Sequence, residues 1–256
     1  PKAAQNFPDT KTLQYDVGET LSIRQCSGCG LVQSASAPVD YYRDVIRATA
    51  FSEEMGNFRI NQFREYEEQY SISSKRLIEV GSGRGEFLDL MRQVGWQVCG
   101  LEHLESSVIA SRKKGNDVQE GYIDTPEYTL EAGPFEAFAI FNYLEHIPDI
   151  NTLLSGLSNN LTADAIGLIE VPNFDMMVRE SLFTEFIADH IFYFTEATLR
   201  RTLEMNGFDV LQTQIVWHDY IISAIVRKRP PLSLKGFLDR EKSLHKEIHA
   251  YFDGHK

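Results

Sequence analysis

Glu79 stands two residues ahead of three alternating glycines, Gly81, Gly83 and Gly85, in the run RLIEVGSGRGEFLDLM at 76–91. The apolar run ending at Val80 reads as a buried strand, and the glycines allow a tight turn that a ligand can approach closely. A helical pattern starting near Gly85 or Glu86 aims its unpaired N–H groups at the same turn. A pyrophosphate loop would take the spacing G-x-G-x-x-G. Here the third glycine comes one residue early, and the Glu79 carboxylate would repel a pyrophosphate. The same carboxylate attracts an ammonium and a sulfonium, so S-adenosylmethionine fits this loop better than a dinucleotide. Glu102, 21 residues beyond Gly81, ends a second strand pattern and can accept hydrogen bonds from ribose hydroxyls. That acid alone would serve a dinucleotide equally well; the loop spacing decides. Ser82 in the loop and His103 beside the acid complete the cofactor-binding residues expected on these two strand tips.

Two histidines sit where acid–base chemistry would be wanted. His146 lies just beyond the strand pattern AFAIFNYL, and His190 follows the pattern AIGLIEV and a long excursion. Both positions belong to the carboxyl edge of a parallel sheet, where ligands of α/β proteins bind. The plainer roles are a helix cap for His146 and an interfacial position for His190. His218, between two strand patterns, is given no role. Cys26-x-x-Cys29 is half of a zinc knuckle. Zinc takes four ligands, and no other cysteine or histidine occurs before Cys99, which falls in a strand. Zinc is therefore expected only with further ligands upstream of Pro1, and an empty or vestigial site otherwise.

The elements that must position these groups are legible from periodicity. From Arg76 onward strands and helices alternate, which argues for a parallel sheet covered on both faces. Strands are expected at RLIEV, WQVCGLE, AFAIFNYL and AIGLIEV, with helices over 86–94, 106–114, 150–160 and 195–207. The last has a cap-like Thr195 and a stopping Gly207. FDVLQTQIVW and YIISAIVRK, divided by His218 and Asp219, make a terminal antiparallel hairpin. Residues 1–50 read as a small N-terminal module, 51–75 as a linking helix, 76–228 as the cofactor-binding domain and 229–256 as an amphipathic C-terminal helix. That tail needs a cover, supplied by the domain itself, by a second subunit in a homodimer, or by a further domain. Pro1 in place of a methionine, and a helical pattern running almost to Lys256, lead us to expect a longer polypeptide.

At 256 residues and net charge −12, the chain can bury an α/β core but offers no basic face for nucleic acid. It has neither an apolar run long enough to span a membrane nor a signal-peptide core, and three cysteines do not make a disulfide scaffold. A cytoplasmic protein with a small-molecule substrate is expected.

Residues 76–228, with EVGSGRG and GLEHLESS, resemble a class I S-adenosylmethionine-dependent methyltransferase. The whole chain is similar to the C-methyltransferases of nucleotide-linked deoxysugars. CSGCGLVQ at 26–33, FNYLEHIPD at 141–149, IEVPN at 169–173 and DHIFYFT at 189–195 carry that likeness. That family combines a zinc module with two cysteine pairs, a methyltransferase domain and a C-terminal Rossmann-like domain; here the first pair and most of the last domain are absent. The resemblance implies a Rossmann-like α/β sheet with a terminal hairpin, and Asn142 and Leu144 lining the methionine end of the cofactor. It further implies His190 as general base, His146 in the substrate site and tyrosines such as Tyr41 or Tyr42 at the sugar. Asp189 replaces a glutamate of the pattern and could hold or tune His190, and Ile187 stands where the family can carry another tyrosine. Carbon methylation beside a ketone needs a base to form an enolate, and a histidine near its ordinary pKa of ~6.5 would serve. O- or N-methylation on the same fold, and a non-catalytic binding domain, are the competing readings.

Overall fold

The computed structural model of the chain describes residues 10–11, 14, 20–39, 52–70, 72 and 75–229. Tyr41, Tyr42 and the tail pattern at 230–256 lie outside these residues. In chain order the elements are β1 (Ile23–Gln25), β2 (Val32–Ser34), α1 (Glu53–Tyr70), β3 (Arg76–Val80), α2 (Glu86–Gln93), β4 (Gln97–Glu102), α3 (Glu105–Lys113) and β5 (Asp117–Glu120). Then come β6 (Phe135–Phe141), α4 (Ile150–Asn159), β7 (Leu161–Pro172), α5 (Phe174–Arg179), β8 (Phe192–Tyr193), α6 (Glu196–Met205), β9 (Phe208–Val216) and β10 (Ile221–Lys228).

The main sheet has seven strands in the order β5-β4-β3-β6-β7-β10-β9. β3 to β7 pair in parallel, and β10 runs antiparallel to both β7 and β9. Strand order reverses between β3 and β6, which opens a crevice at their carboxyl ends. Alternation along the central strands feeds two cores: Ile78, Val80, Phe138 and Ile140 on one face, Leu77, Ala137, Ala139 and Phe141 on the other. Burial on both faces explains why these strands read as continuous apolar runs. β5, with only Val118 buried, is a polar edge strand that carries no such pattern, and sequence reasoning did not find it.

α1, in the segment read as a link, packs Met55, Phe63 and Tyr66 into the core. Tyr66 stacks on Trp96 and donates to the carbonyl of Ile166 at 2.7 Å. The fully buried Arg59 pairs with Glu170 of β7, its guanidinium 4.7 Å from the rings of both Phe87 and Phe141. α6 begins at the predicted cap: Thr195 accepts from the backbone of Thr198, whose side chain answers it, and Gly207 follows at φ 88°. The second sheet was not foreseen. β1, β2 and β8 form three antiparallel strands, with Val32 opposite Tyr193 and Gln33 opposite Phe192. The amide of Ser34 extends this ladder to the carbonyl of Ile191 at 2.8 Å.

Candidate active site

The glycine loop has the geometry its sequence demanded. Gly81, Gly83 and Gly85 all lie in the left-handed region, at φ 74°, 55° and 79°. At Gly81 a side chain is doubly excluded, because the ring of Tyr143 packs 2.7 Å from where a Cβ would stand. At Gly83 the corresponding space is open, with nothing nearer than a Glu86 carboxylate oxygen at 3.9 Å. A ligand can therefore lie against the peptide there, beside the start of α2. Glu102 serves the loop directly. One carboxylate oxygen accepts from the Gly83 amide at 2.7 Å and the other from the Leu104 amide at 2.9 Å. Each oxygen keeps a second lone pair, so a bound ribose can still be accepted. That brace across the two strand tips was not deduced from the sequence. His103, partly buried beside Glu102, meets the ring of Tyr122 edge-on at 6.2 Å.

Other expected cofactor residues are placed less directly. Glu79 has no exposed surface, standing between Gly100 and Ala139 on the adjacent strands. Ser82 and Leu144 are likewise fully buried, and Leu144 belongs to the apolar core. Asn142 lies across the crevice from the loop at the tip of β6, in the left-handed region at φ 45°. Its side-chain oxygen is buried and accepts no hydrogen bond among the described residues. Such an acceptor suits an ammonium. An open glycine amide run, a second-strand acid and a bare amide oxygen together fit S-adenosylmethionine, which no sterically filled loop would.

The two histidines are brought together. Tyr143, packed on Gly81, leads into a 3-10 turn, Leu144–His146, and the histidine rings meet edge-on at 4.8 Å. Two bonds zip the segments: His146 Nδ1 to the carbonyl of Asp189 at 2.9 Å, and the Ile191 amide to the carbonyl of Glu145 at 2.9 Å. The His190 ring bonds the backbone carbonyl of Glu185. Each imidazole thus has one nitrogen on a carbonyl, which leaves the other as a lone pair in the neutral ring. Burial pushes His146 down to about 4, against the Asp189 bond that raises it. Burial and then the neighbouring His146 push His190 down to about 3. The expected base of ordinary basicity is thus corrected: both rings are neutral and weakly basic.

Asp189 does not hold His190 through its carboxylate. Neither oxygen accepts a hydrogen bond among the described residues, burial raises the carboxyl pKa, and the residue's contribution is a backbone carbonyl to His146. Glu145, His146 and His190 offer ligand-type atoms up to 4.8 Å apart. Neighbouring ligands of one ion at bond lengths near 2.1 Å lie about 3 to 3.5 Å apart, so proton transfer suits the cluster better than metal. Cys26 and Cys29 are half-buried, and among the described residues no third ligand-type side chain joins them. Backbone amides of Cys29 and Gly28 lower the Cys26 thiol, and burial raises Cys29.

An aromatic wall of Phe174, Phe186 and Tyr193 stands beside His190, with ring centroids 5.0 to 6.1 Å apart. Burial pushes the Tyr193 phenol up to about 12. Tyr220, from the β9–β10 turn, donates to Glu185 Oε2 at 2.5 Å. Neither Tyr220 nor Glu185 was singled out from the sequence, and their separation by 35 residues leaves no local pattern.

A family described as a methyltransferase domain matches residues 53–213. The chain belongs to that family. This methyltransferase-family chain is 28% identical over 140 residues to the C-methyltransferase NovU of Streptomyces niveus, covering 53% of the chain and 33% of NovU. It is 30% identical over 89 residues to the ubiquinone biosynthesis O-methyltransferase of Bordetella avium, covering 33% of the chain and 37% of that protein. The matched stretches thus span about a third of either relative's length. Among solved structures, the glycopeptide N-methyltransferase MtfA complexed with S-adenosylmethionine superposes with TM-score 0.52 at 15% identity, over 67% of the chain and 94% of MtfA. The shared fold is the Rossmann-like sheet with its antiparallel hairpin. No helix among the described residues is long and apolar enough to cross a membrane.

Proposed function

We propose that the protein is an S-adenosylmethionine-dependent methyltransferase acting on carbon of a nucleotide-linked keto-deoxysugar, with His190 receiving the proton. The observation that carries this is the pairing of two buried, neutral histidines with the open glycine loop at one strand-order reversal, joined through Tyr143. Family membership and the likeness to NovU support it. Bound at the loop, S-adenosylmethionine supplies a methyl group on a positively charged sulfur. Gly83 leaves room for close approach, Glu102 accepts from ribose, and Asn142 accepts from the ammonium. His190 keeps one N–H on Glu185 and presents the other nitrogen as a lone pair. Because burial makes that nitrogen weakly basic, it takes a proton only as negative charge develops beside it on the acceptor. His146, held by Asp189, supports the same developing charge by its position against His190.

The weak basicity favours one second reading, methyl transfer to a hydroxyl oxygen, which asks more of positioning than of proton abstraction. Incubation of a nucleoside-diphosphate-linked keto-deoxysugar with the protein in deuterated water, without cofactor, separates the two. Deuterium entering at carbon supports enolisation; methylated product without that exchange refutes it in favour of oxygen. Absence of calorimetric binding of S-adenosylmethionine would reduce the chain to a non-catalytic binding domain.

A further inference from the structure

The β9–β10 turn is costly in backbone terms. Trp217, His218 and Asp219 are successive non-glycine residues in the left-handed region, at φ 49°, 56° and 63°. Such strain persists only where surrounding contacts over-determine it, and it concentrates at functional sites. The contacts are present. Asn173, just past the tip of β7, donates its side-chain amide to the Asp219 carbonyl at 2.8 Å and its backbone N–H to the Tyr220 carbonyl at 2.7 Å. Trp217 packs on Phe58 with centroids 5.4 Å apart, and His218 lies 3.3 Å from Glu54. The turn is thereby fastened to α1 and to the carboxyl edge of the sheet. What the strain delivers is Tyr220, whose hydroxyl reaches a Glu185 carboxylate oxygen at 2.5 Å across 35 residues of sequence. Burial, then that carboxylate, raises the Tyr220 pKa, so the phenol remains a donor. Glu185 ends the 3-10 turn Phe183–Glu185, and its backbone carbonyl is the one that the His190 ring bonds.

We infer that Tyr220 and Glu185 are positioning residues: the phenol fixes the Glu185 carboxylate, the Glu185 carbonyl holds one nitrogen of His190, and the other nitrogen is left bare for the acceptor. The inference rests on the reading of His190 as proton acceptor, but the clamp itself is measurable without an acceptor. A carbonyl accepts only from N–H, so the bond selects one neutral tautomer of the ring. Loss of the Tyr220 hydroxyl frees the Glu185 side chain and, with it, the peptide that makes the selection.

The test uses the full chain labelled with ¹⁵N, saturated with S-adenosylhomocysteine, with imidazole spectra at pH 7 assigned through His190→Gln. The wild type should show His190 as a single neutral tautomer. Tyr220→Phe and Glu185→Ala should each move both ring nitrogens to values averaged between tautomers. Glu185→Gln, whose amide oxygen still accepts from the phenol, should restore the fixed tautomer. Affinity for S-adenosylhomocysteine within twofold of wild type marks a variant as folded; should Tyr220→Phe fail that mark, the two Glu185 variants decide. Methylation of the keto-deoxysugar nucleotide should fall about tenfold in the two disrupting variants and recover in Glu185→Gln. A His190 that keeps one tautomer in Tyr220→Phe overturns the inference, even if turnover falls, because Tyr220 would then act on the acceptor directly. Averaged tautomers in Tyr220→Phe together with full turnover in His190→Ala would uphold the clamp and refute the proton-acceptor role instead.

Discussion

Two histidines kept neutral by burial should make the fold sensitive to mild acid, by an amount set by the site. In the unfolded chain each ring titrates near its ordinary pKa of 6.5, whereas in the folded chain His146 is pushed down to about 4 and His190 to about 3. Between those values the unfolded state binds protons that the folded state refuses. Stability is therefore full above pH 6.5 and falls as the pH drops towards the folded values. At pH 5 each ring lies about 1.5 pH units below its unfolded pKa, which is about 2 kcal/mol per ring and about 4 kcal/mol for both. Marginal stabilities of ~5–15 kcal/mol make that a large fraction. Urea unfolding at pH 7.5 and 5.0, compared between wild type and His146→Gln/His190→Gln, cancels the titration of every other group. The wild type should lose about 4 kcal/mol more than the double variant. Equal losses would mean that both rings titrate as if solvated, and the closed histidine pair would be wrong.

Gly81→Ala should weaken S-adenosylmethionine binding by more than tenfold, seen by calorimetry, since a Cβ there meets Tyr143 at 2.7 Å in a left-handed backbone. Glu102→Ala removes the acceptor that braces the Gly83 amide, and the same titration should show a loss of tenfold or more, with the thermal midpoint little changed. His190→Ala should retain cofactor affinity while losing turnover; equal loss of both would make the residue structural. Arg59→Met leaves Glu170 buried without its ion partner and should lower unfolding free energy by about 3–5 kcal/mol in urea.

What the sequence revealed follows from the range of each signal. β3, the glycine loop and α2 form one local pattern, so their order, conformation and ligand preference were all readable from sixteen consecutive letters at 76–91. The hairpin at the sheet edge was equally local, because β9 and β10 are joined by only four residues. Relations between distant segments were not readable. Glu102 could be named as an acid at a strand tip, but its bond to Gly83 depends on β3 and β4 lying side by side. The basicity of His146 and His190 was misjudged because burial is a tertiary property, invisible in a loop written with polar letters. Asp189 was chosen for its side chain, whereas its backbone carbonyl makes the contact. Tyr220 was passed over because a turn beginning with His218 and Asp219 reads as solvent-facing, and only the left-handed run brings the phenol back towards Glu185.

The ladder between β2 and β8 ties the cysteine-bearing hairpin to the peptide immediately after His190. Arg201 of α6 adds a second tether, donating to the Cys29 carbonyl at 2.9 Å. Donor recognition resides on strand tips in the middle of the chain, while the acceptor side is shaped partly by residues near its start. Exchange of that leading hairpin between relatives would thus retune which molecule receives the methyl group without disturbing the machinery that holds its source.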